Sequence, residues 1–333
     1  MNNNCKLCKK RIDEKNLLKV KEQMFWTNEE FTYWECEFCW AISLQDNIID
    51  FSKYYDKSQY YSMVNIQKSL FHTFKIIYWN ILYRPWILSN IILGILTIFY
   101  RVVLKEVYES IKIEKRRIKF YTKNWLLSNK HVKILDVWSG EWHRLLKLES
   151  LWFKNLTWLD PYIEKTHRIS SNIELIKEEI DKFPYENYFD LINLSHSLEH
   201  MYDHDKIINK IARFVKKSWV IMISIPIKNK AYEIYKESWF QIDAPRHIII
   251  HTVESFKKTI ERNWLEIIDH IFDSWAKQFF ISEFYKKNIS MYDWSKKWLR
   301  KYNFSYYMRI SELYNEKSLW DQAIFLLKKK DIE

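Results

Sequence analysis

The four cysteines of this 333-residue chain form two Cys-x-x-Cys pairs, Cys5-Lys-Leu-Cys8 and Cys36-Glu-Phe-Cys39. Tetrahedral zinc takes four thiolates, and each pair places two sulfurs on one tight knuckle, so that two hairpin tips can face one ion. The alternative, two disulfides, needs an oxidising compartment, which nothing in the sequence indicates. We therefore predict a structural zinc ion bound by Cys5, Cys8, Cys36 and Cys39, because four protein ligands leave no open position for a substrate.

A second candidate site follows the predicted strand 133–137, where the chain runs Asp-Val-Trp-Ser-Gly-Glu-Trp. With glycine in place of both tryptophans, this becomes a strand–turn–helix loop whose missing side chains let the backbone approach a ligand closely. The loop predicts a nucleotide-type site, although NAD-binding folds use a related loop. The residues assigned to it are Asp136, Trp138, Ser139, Gly140, Glu141 and Trp142.

Tryptophan stands at several positions where a turn favours glycine. The chain has 2 glycines and 17 tryptophans, whereas average usage would give roughly 23 glycines in this length. Turns and helix ends need residues that tolerate positive φ, and tryptophan is a poor substitute there. Our hypothesis is that UGA encodes glycine in this gene and has been translated as tryptophan, and the alternative is a genuinely tryptophan-rich protein. Besides the loop, the positions that fit the pattern are Trp40, Trp152, Trp219, Trp264 and Trp320.

Further carboxylates follow the next predicted strands. Asp160 closes the strand 155–160, where its side chain can accept hydrogen bonds from ribose hydroxyls, a feature that NAD-binding folds share. Glu179 and Asp181 lie in an acidic turn after the third strand, which suits an adenine edge.

Three histidines are candidates for a catalytic base, because imidazole titrates near neutral pH and can accept a proton from a hydroxyl. His196 and His200 follow the fourth strand, and His247 lies in an Asp-Ala-Pro-Arg-His run beyond the fifth. His200 has an alternative role in capping or packing its helix, and Glu199 has one as a helix-dipole partner. Arg246 and His247 are also candidates for binding a substrate phosphate or carboxylate.

From Lys133 onward, short β-type runs alternate with helical stretches, which predicts a mostly parallel α/β sheet covered by helices. The segment 273–320 must contain at least one helix. We predict three parts: a zinc-ribbon-like knuckle (1–50), a helical connector with an apolar helix (51–130) and the α/β domain (131–333). The predicted strands are 133–137, 155–160, 173–179, 189–195, 219–226, 265–272 and 321–329.

Over roughly 131–270, the chain resembles the class I S-adenosylmethionine-dependent methyltransferases of the ubiquinone-biosynthesis and sugar-modifying type. The motifs that carry the resemblance are the loop 136–142, Leu159-Asp160-Pro161, Phe189-Asp190, Leu198-Glu199-His200, Lys217-Ser218-Trp219 and Asp243-Ala-Pro245-Arg246-His247. The resemblance implies a Rossmann-like sheet of order 3-2-1-4-5-7-6 with an antiparallel seventh strand, and S-adenosylmethionine as cofactor. It also implies that the loop cradles the methionine part, Asp160 holds the ribose and Glu179 lies near adenine. The departure is tryptophan at 138 and 142, since an indole there would fill the cofactor's space.

Composition bears on partners and location. The net charge of +11 would suit nucleic acid, but the chain has the residue bias of an A/T-rich genome. It also has no compact basic run with interleaved aromatics, so we expect no nucleic-acid partner.

Residues 86–100 carry no charge but are shorter than a membrane span of about 20 residues. This favours a buried helix, with membrane-surface contact through 86–104 as the alternative. The start lacks a signal-peptide layout and indicates a cytoplasmic, or else membrane-associated, protein.

The sequence therefore predicts methyl transfer to a small-molecule acceptor, namely a sugar, a sugar nucleotide or a quinone-like or lipid-like compound. An alternative is a catalytically inactive zinc-ribbon and Rossmann-like protein that binds RNA or a protein partner. An NAD-dependent enzyme is disfavoured, because the Glu179 turn and the 243–247 run fit methyltransferases better.

Overall fold

The computed structural model describes residues 4–11, 13–48, 50–55, 105–124, 126, 128–138, 143–291 and 304–331. Within them, a small antiparallel sheet near the N-terminus packs against a larger sheet that carries helices on both faces. The strands of the small sheet are β1 (Leu17–Lys21), β2 (Glu30–Glu35), β3 (Ile42–Leu44) and β10 (Ile249–Ile250).

The larger sheet has the strand order β11-β12-β9-β8-β4-β5-β7-β6. The core pairs from β7 to β9 are parallel, whereas β12 runs antiparallel to both of its neighbours. Apart from the two-residue edge strand β6, this is the predicted order 3-2-1-4-5-7-6 with the seventh strand reversed, so the predicted fold is confirmed. Its strands are β4 (Lys133–Val137), β5 (Asn155–Leu159), β6 (His167–Arg168), β7 (Ile173–Ile176), β8 (Phe189–Ser195), β9 (Val215–Pro226), β11 (Leu265–Phe272) and β12 (Gln322–Lys329).

The helices cover two faces that the strand alternation defines. In β4, Ile134 packs into the core of one face and Leu135 into the core of the other, as successive side chains of a strand must. The first face receives α1 (Lys105–Lys123) and α2 (His143–Ser150), and the second receives α3 (His204–Phe214) and α5 (Val253–Arg262). The remaining helices are α4 (Lys230–Tyr235), α6 (Ala276–Lys286) and α7 (Phe304–Glu316), the last two within the segment predicted to contain a helix.

The small sheet is tied to the loop that precedes β10. β10 pairs antiparallel with β3, although the two strands are about 200 residues apart in the chain. Tyr33 Oη donates to the carbonyl of His247 at 2.8 Å, and Leu44 N donates to the carbonyl of Ile248 at 2.9 Å. The division into parts at residues 50 and 130 stays a prediction, but the small sheet clearly supports the loop that carries Arg246 and His247.

Five tryptophans have the positive φ that favours glycine. A non-glycine residue with φ above zero is uncommon, and for a bulky side chain it is an outlier. This backbone conformation supports glycine at four of the proposed positions and adds a fifth, Trp26. Trp219 and Trp320 do not share it, and Trp142 lies outside the described residues. The angles are 62° at Trp26, 62° at Trp40, 52° at Trp138, 74° at Trp152 and 59° at Trp264.

One tryptophan, Trp239, uses its indole in a buried hydrogen bond. Trp239 is buried, and its Nε1 donates to Oδ2 of Asp321 at 2.9 Å. Asp321 is buried too, and the loss of solvent raises the pKa of its carboxyl to about 6, although hydrogen bonds from Trp239 and Ser274 act in the opposite direction. Trp239 therefore differs from the tryptophans at glycine-like positions, because its indole is buried and hydrogen-bonded.

No helix in these described ranges is long and apolar enough to cross a membrane. The apolar segment 86–104 lies outside them. Membrane-surface contact through that segment therefore stays a prediction.

We predict that Trp152→Gly and Trp264→Gly each raise the free energy of unfolding by about 1 kcal/mol, because glycine removes the left-handed strain of about 1–2 kcal/mol at some entropic cost. Both indoles are mostly exposed, at 63% and 69%, so little packing is lost. Thermal unfolding measures the effect as a rise in Tm of about 2 to 4 °C.

The matched control is Trp239→Gly, which should lower the free energy of unfolding by about 3–5 kcal/mol through loss of a buried indole. The gene offers an independent check: UGA codons are expected at 152 and 264, and UGG at 239. Loss of stability in both glycine variants, or UGG at both positions, would contradict the recoding hypothesis.

A second prediction concerns Asp321, whose pKa is raised in the folded chain from 3.8 to about 6. Between these values the folded state binds a proton that the unfolded state has released, so this group's contribution falls as pH rises from 4 to 6. Asp321→Asn has no such proton to lose, and it should be more stable than the parent by up to about 3 kcal/mol at pH 8. At pH 4 the two should differ little, and an equal difference at both pH values in urea unfolding would refute the assignment.

Candidate cofactor and acceptor site

The four cysteines meet at one point of the small sheet. Sγ of Cys5 lies 3.6 Å from Sγ of Cys39, and Sγ of Cys8 lies 3.6 Å from Sγ of Cys36. All four sulfurs lie within 4.8 Å of one another. A disulfide needs about 2.05 Å, whereas Zn–S bonds of about 2.3 Å place tetrahedral sulfurs roughly 3.8 Å apart. The arrangement therefore fits one zinc ion rather than two disulfides.

The two knuckles share the same backbone turn. Lys9 N donates to the carbonyl of Cys5 at 2.9 Å, and Trp40 N donates to that of Cys36 at 2.8 Å. The residue after each second cysteine is left-handed, with φ of 61° at Lys9 and 62° at Trp40. The knuckle geometry itself thus favours glycine at position 40, where the printed indole lies 56% exposed.

The predicted cofactor loop starts at the carboxyl end of β4. The carboxylate of Asp136 is buried and accepts from Nδ2 of Asn193 at 2.5 Å, across the β4–β8 pair. Both residues, together with Ser195 and His196, line a cavity of about 690 Å³. Ser139, Gly140, Glu141 and Trp142 lie outside the described residues, so their predicted contacts are not placed. Oδ1 of Asn193 is buried without a hydrogen-bond partner in the described part, which suits a site that a polar ligand completes.

Trp138 directly follows β4 and lies next to the carboxyl end of β5. Its ring lies 5.8 Å from that of Tyr162, two residues beyond Asp160, and its backbone N–H donates to the carbonyl of Leu159 at 3.1 Å. Asp160 follows β5 and accepts from the N–H of Tyr162 at 2.7 Å. The indole therefore takes up space beside the carboxylate that the resemblance assigns to the ribose.

Glu179 and Asp181 are exposed and do not line the cavity. Glu179 lies 3.1 Å from Nζ of Lys182, and Asp181 forms an ion pair with Lys206. Their predicted place at the adenine edge stays a prediction.

The three candidate histidines are brought together around Glu199. Oε1 of Glu199 lies 3.2 Å from Nδ1 of His196 and 4.0 Å from Nε2 of His247. The rings of His200 and His247 lie 4.7 Å apart. Burial would raise the pKa of the Glu199 carboxyl, but the hydrogen bond from His196 and the neighbouring histidines lower it to about 2. Glu199 is therefore an ionised centre of the cluster, and not only the dipole partner considered from sequence.

The backbone fixes which ring nitrogen carries the proton in His247. Its Nδ1 lies 2.7 Å from the carbonyl of Gln241, which only accepts, so Nδ1 donates and Nε2 holds a lone pair when the ring is neutral. Nδ1 of His200 lies 2.9 Å from the carbonyl of Arg246 and 3.0 Å from the hydroxyl of Tyr55, so this nitrogen can either donate to the carbonyl or accept from the hydroxyl. Burial, together with the charge of His247, lowers the pKa of His200 to about 4, so this ring is neutral at pH 7.

Arg246 lies in a buried ion-pair network away from the cavity lining. Its guanidinium contacts both carboxylate oxygens of Asp243, at 2.6 and 3.1 Å, and Oε1 of Glu22 at 3.1 Å. These bonds join the small sheet to the loop 243–247 and position His247. The predicted contact of Arg246 with a substrate anion stays a prediction.

Asn193 and Lys277 are two of the polar cavity residues that were not predicted from sequence. Asn193 had a signal, since it is a polar residue within a buried strand. Lys277 had none, because it lies at the start of α6 in the segment without motifs. Burial lowers its pKa to about 8, against the opposing charge of Asp243.

These features, a 3-2-1-4-5-7-6 sheet with a cavity whose polar residues lie at the carboxyl ends of β4 and β8, agree with a comparison of the sequence with known families. A family model described as "Methyltransferase domain" matches residues 112–278, half of the chain. The chain belongs to the class I S-adenosylmethionine-dependent methyltransferases. The expected enzyme class and the expected S-adenosylmethionine cofactor are thereby confirmed.

Solved methyltransferase structures are similar to this methyltransferase in fold. The 1,6-didemethyltoxoflavin-N1-methyltransferase of Burkholderia thailandensis is 8% identical over 90% of this chain and 96% of its own, with a TM-score of 0.43. The geranyl diphosphate C-methyltransferase of Streptomyces coelicolor A3(2) is 10% identical over 67% and 85%, with a TM-score of 0.42. Coclaurine N-methyltransferase is 15% identical over 67% and 71%, with a TM-score of 0.41. These values are too low to assign residues, and no curated protein sequence matches the chain.

We predict that Cys36→Ser lowers the zinc content of the purified methyltransferase by one ion per chain, because the knuckle loses one of four thiolates. The small sheet should lose stability with it, since binding energy at such sites is folding energy. Metal analysis by mass spectrometry and thermal unfolding measure both effects. Ser43→Ala, in the same sheet but not a ligand, is the control, and an unchanged zinc content in Cys36→Ser would rule out the tetrathiolate site.

Proposed function

We propose that this methyltransferase methylates a small-molecule acceptor that must lose a proton, such as a hydroxyl of a sugar, a sugar nucleotide or a quinone-like or lipid-like compound. The observation that carries the proposal is the Glu199–His196 pair at the lip of the cavity. It provides a proton acceptor beside the polar end of the predicted cofactor site.

The residues at the carboxyl ends of β4 and β8 fit the cofactor. Asp136 supplies a buried carboxylate, Asn193 a buried amide oxygen without a described partner, and Ser195 a hydroxyl. S-adenosylmethionine supplies a methyl group that its sulfonium already activates. The protein's task is then to hold the acceptor in line with that methyl group and to take up its proton.

His196 is placed for that task. Its Nδ1 lies 3.2 Å from the Glu199 carboxylate, which only accepts, so Nδ1 donates and Nε2 is left to receive a proton. The side chain is 38% exposed and lines the cavity, whereas His247 is buried. The residue also has a left-handed backbone, with φ of 53°, a conformation that concentrates at functional sites. His196 is therefore the best placed of the three predicted bases.

The inactive binding protein predicted as the alternative has one observation in its favour, the indole of Trp138, which packs against Tyr162 at the predicted cofactor edge. Under the recoding hypothesis this indole is absent from the natural polypeptide. The methyltransferase proposal and the inactive-protein proposal therefore differ in one expectation. Only the methyltransferase proposal expects glycine at position 138 to restore cofactor binding.

We predict that calorimetry detects S-adenosylmethionine binding to the full chain with Trp138→Gly and Trp142→Gly, and no binding to the chain as printed. The matched control carries Trp152→Gly and Trp264→Gly, which relieve the same backbone strain away from the loop and should not restore binding. A folded 138/142 glycine variant that fails to bind would refute the proposed site and favour the inactive protein.

In the chain with Trp138→Gly and Trp142→Gly, His196→Gln should lower turnover about 10² to 10⁴-fold, which is the usual rate contribution of a positioned base. S-adenosylmethionine affinity should stay unchanged, because the cofactor keeps its own contacts. Release of S-adenosylhomocysteine with a panel of sugar nucleotides, free sugars and quinols measures turnover. His167→Gln, an exposed histidine on the edge strand β6, is the control, and full activity of His196→Gln would remove the base from the proposal.

A further inference from the structure

The cavity that holds the proposed base extends from the carboxyl edge of the large sheet down along one sheet face. Its volume is about 690 Å³, and its deep end reaches Leu151 and Phe153, which lie between α2 and β5. Protein interiors are close-packed and hold few voids larger than a water molecule. The proposed proton transfer uses only the lip at His196, so most of this cavity is left without a role.

The strands under the cavity change from apolar to polar in the same direction. On each of the parallel strands β4, β8 and β9, an apolar residue of the lining is followed two positions later by a polar one nearer the carboxyl end. Side chains two positions apart lie on the same face of a strand, so each pair faces the cavity together. The pairs are Ile134 and Asp136 on β4, Leu191 and Asn193 on β8, and Met222 and Ser224 on β9.

The deep end of the cavity is apolar, and we call it the apolar chamber. Its walls belong to one hydrophobic cluster between the sheet and the helices α1 and α2. Apolar walls offer water few hydrogen-bond partners, so a chamber of this kind favours an apolar ligand over solvent. The side chains that define it are Leu126, Ile134, Leu146, Leu151, Phe153 and Leu191.

Four charged side chains in the cavity wall neutralise one another. Nη2 of Arg117, on α1, lies 2.5 Å from Oδ2 of Asp273, which directly follows β11. Lys147 of α2 forms an ion pair with Glu114 of α1. These pairs tie α1 to α2 and to the segment before α6, and they add no net charge to the wall.

The remaining charged residues of the lining are found at the carboxyl ends of strands or in the helices that follow them. Asp136 is the last but one residue of β4, Arg144 is the second residue of α2, and Lys277 is the second residue of α6. The helix α2 follows β4, and α6 follows β11. The cavity is therefore amphiphilic, with a polar end at the sheet edge and the apolar chamber behind it.

We propose that the apolar chamber binds a hydrocarbon chain of the acceptor, whose hydroxyl-bearing head lies at Ser195 and His196. The inference rests on the proposed function and narrows it, because it selects a lipid-like acceptor and excludes free sugars and sugar nucleotides. From Leu191 to Ser195 the strand β8 rises about 13 Å, which separates the chamber from the polar end by the length of several methylenes.

The test titrates n-alkanols, from hexanol to dodecanol, into the full chain with Trp138→Gly and Trp142→Gly. We expect calorimetry to detect one saturable site whose Kd falls about fourfold with each added methylene, which corresponds to about 0.8 kcal/mol per buried CH₂. The affinity should stop rising once the chain is longer than the chamber. Decanol should also bind when the protein is saturated with S-adenosylmethionine, because acceptor and cofactor must be present together.

A matched pair of variants places the chain in the chamber. Leu146→Trp adds an indole to the chamber wall and should weaken decanol binding by about 15-fold or more, since the indole displaces at least two methylenes. Leu126→Trp fills the chamber from another part of the chain and should have the same effect. The control is Leu313→Trp on α7, where the side chain is 44% exposed and outside the cavity lining, and it should leave the affinity unchanged.

A Kd that does not depend on chain length, or no saturable binding at all, would overturn the proposal regardless of how the tryptophan variants fold. Mutual exclusion of decanol and S-adenosylmethionine would overturn it as well, because the chain would then occupy cofactor space. The same titrations separate this inference from the proposed function. Cofactor binding without decanol binding removes only the chain site, whereas decanol binding without cofactor binding removes only the methyl-transfer site.

Discussion

The buried carboxylate of Glu199 is the point on which the acceptor side of the site depends. Its side chain orients His196, and its backbone carbonyl accepts from the N–H of Ile248 at 2.7 Å. A charge without solvent must be met by donors or cations, so the chain has to bring its partners to this place. The loop 243–248 and the short helical turn 198–200 are held together by that requirement.

The small sheet, which carries the predicted zinc site, also contacts the loop 243–248. Tyr33 of β2 contacts the backbone of His247, and Glu22, directly after β1, contacts Arg246, so the small sheet reaches the loop at two points. β10 extends the contact by adding a strand from the α/β domain to that sheet. The predicted zinc ion would then support the proposed acceptor site at a distance, because it would fix the knuckles on which the sheet is built.

Much of the fold could be predicted from sequence, because buried parallel strands are continuous apolar runs with polar residues at their carboxyl ends. Seven predicted strands agree with the structure to within a few residues, apart from the early start of β9 at Val215. The two-residue strands β6 and β10 have no pattern to recognise. The cluster around Glu199 was out of reach for another reason: it depends on tertiary contacts between residues 196–200 and 243–247, which spacing along the chain does not encode.

The tryptophans connect the stability of the fold with its chemistry. At Trp152 and Trp264 the residue is left-handed and its indole is mostly exposed, so backbone strain is its main cost. At Trp138 the same conformation lies at the end of β4, where the cofactor loop is predicted to begin, and there the ring packs against Tyr162. A tryptophan selected for its side chain would be expected to gain contacts, as Trp239 does with Asp321. A single substitution rule, glycine in place of tryptophan at these positive-φ positions, would account both for the strained turns and for the indole at the end of β4.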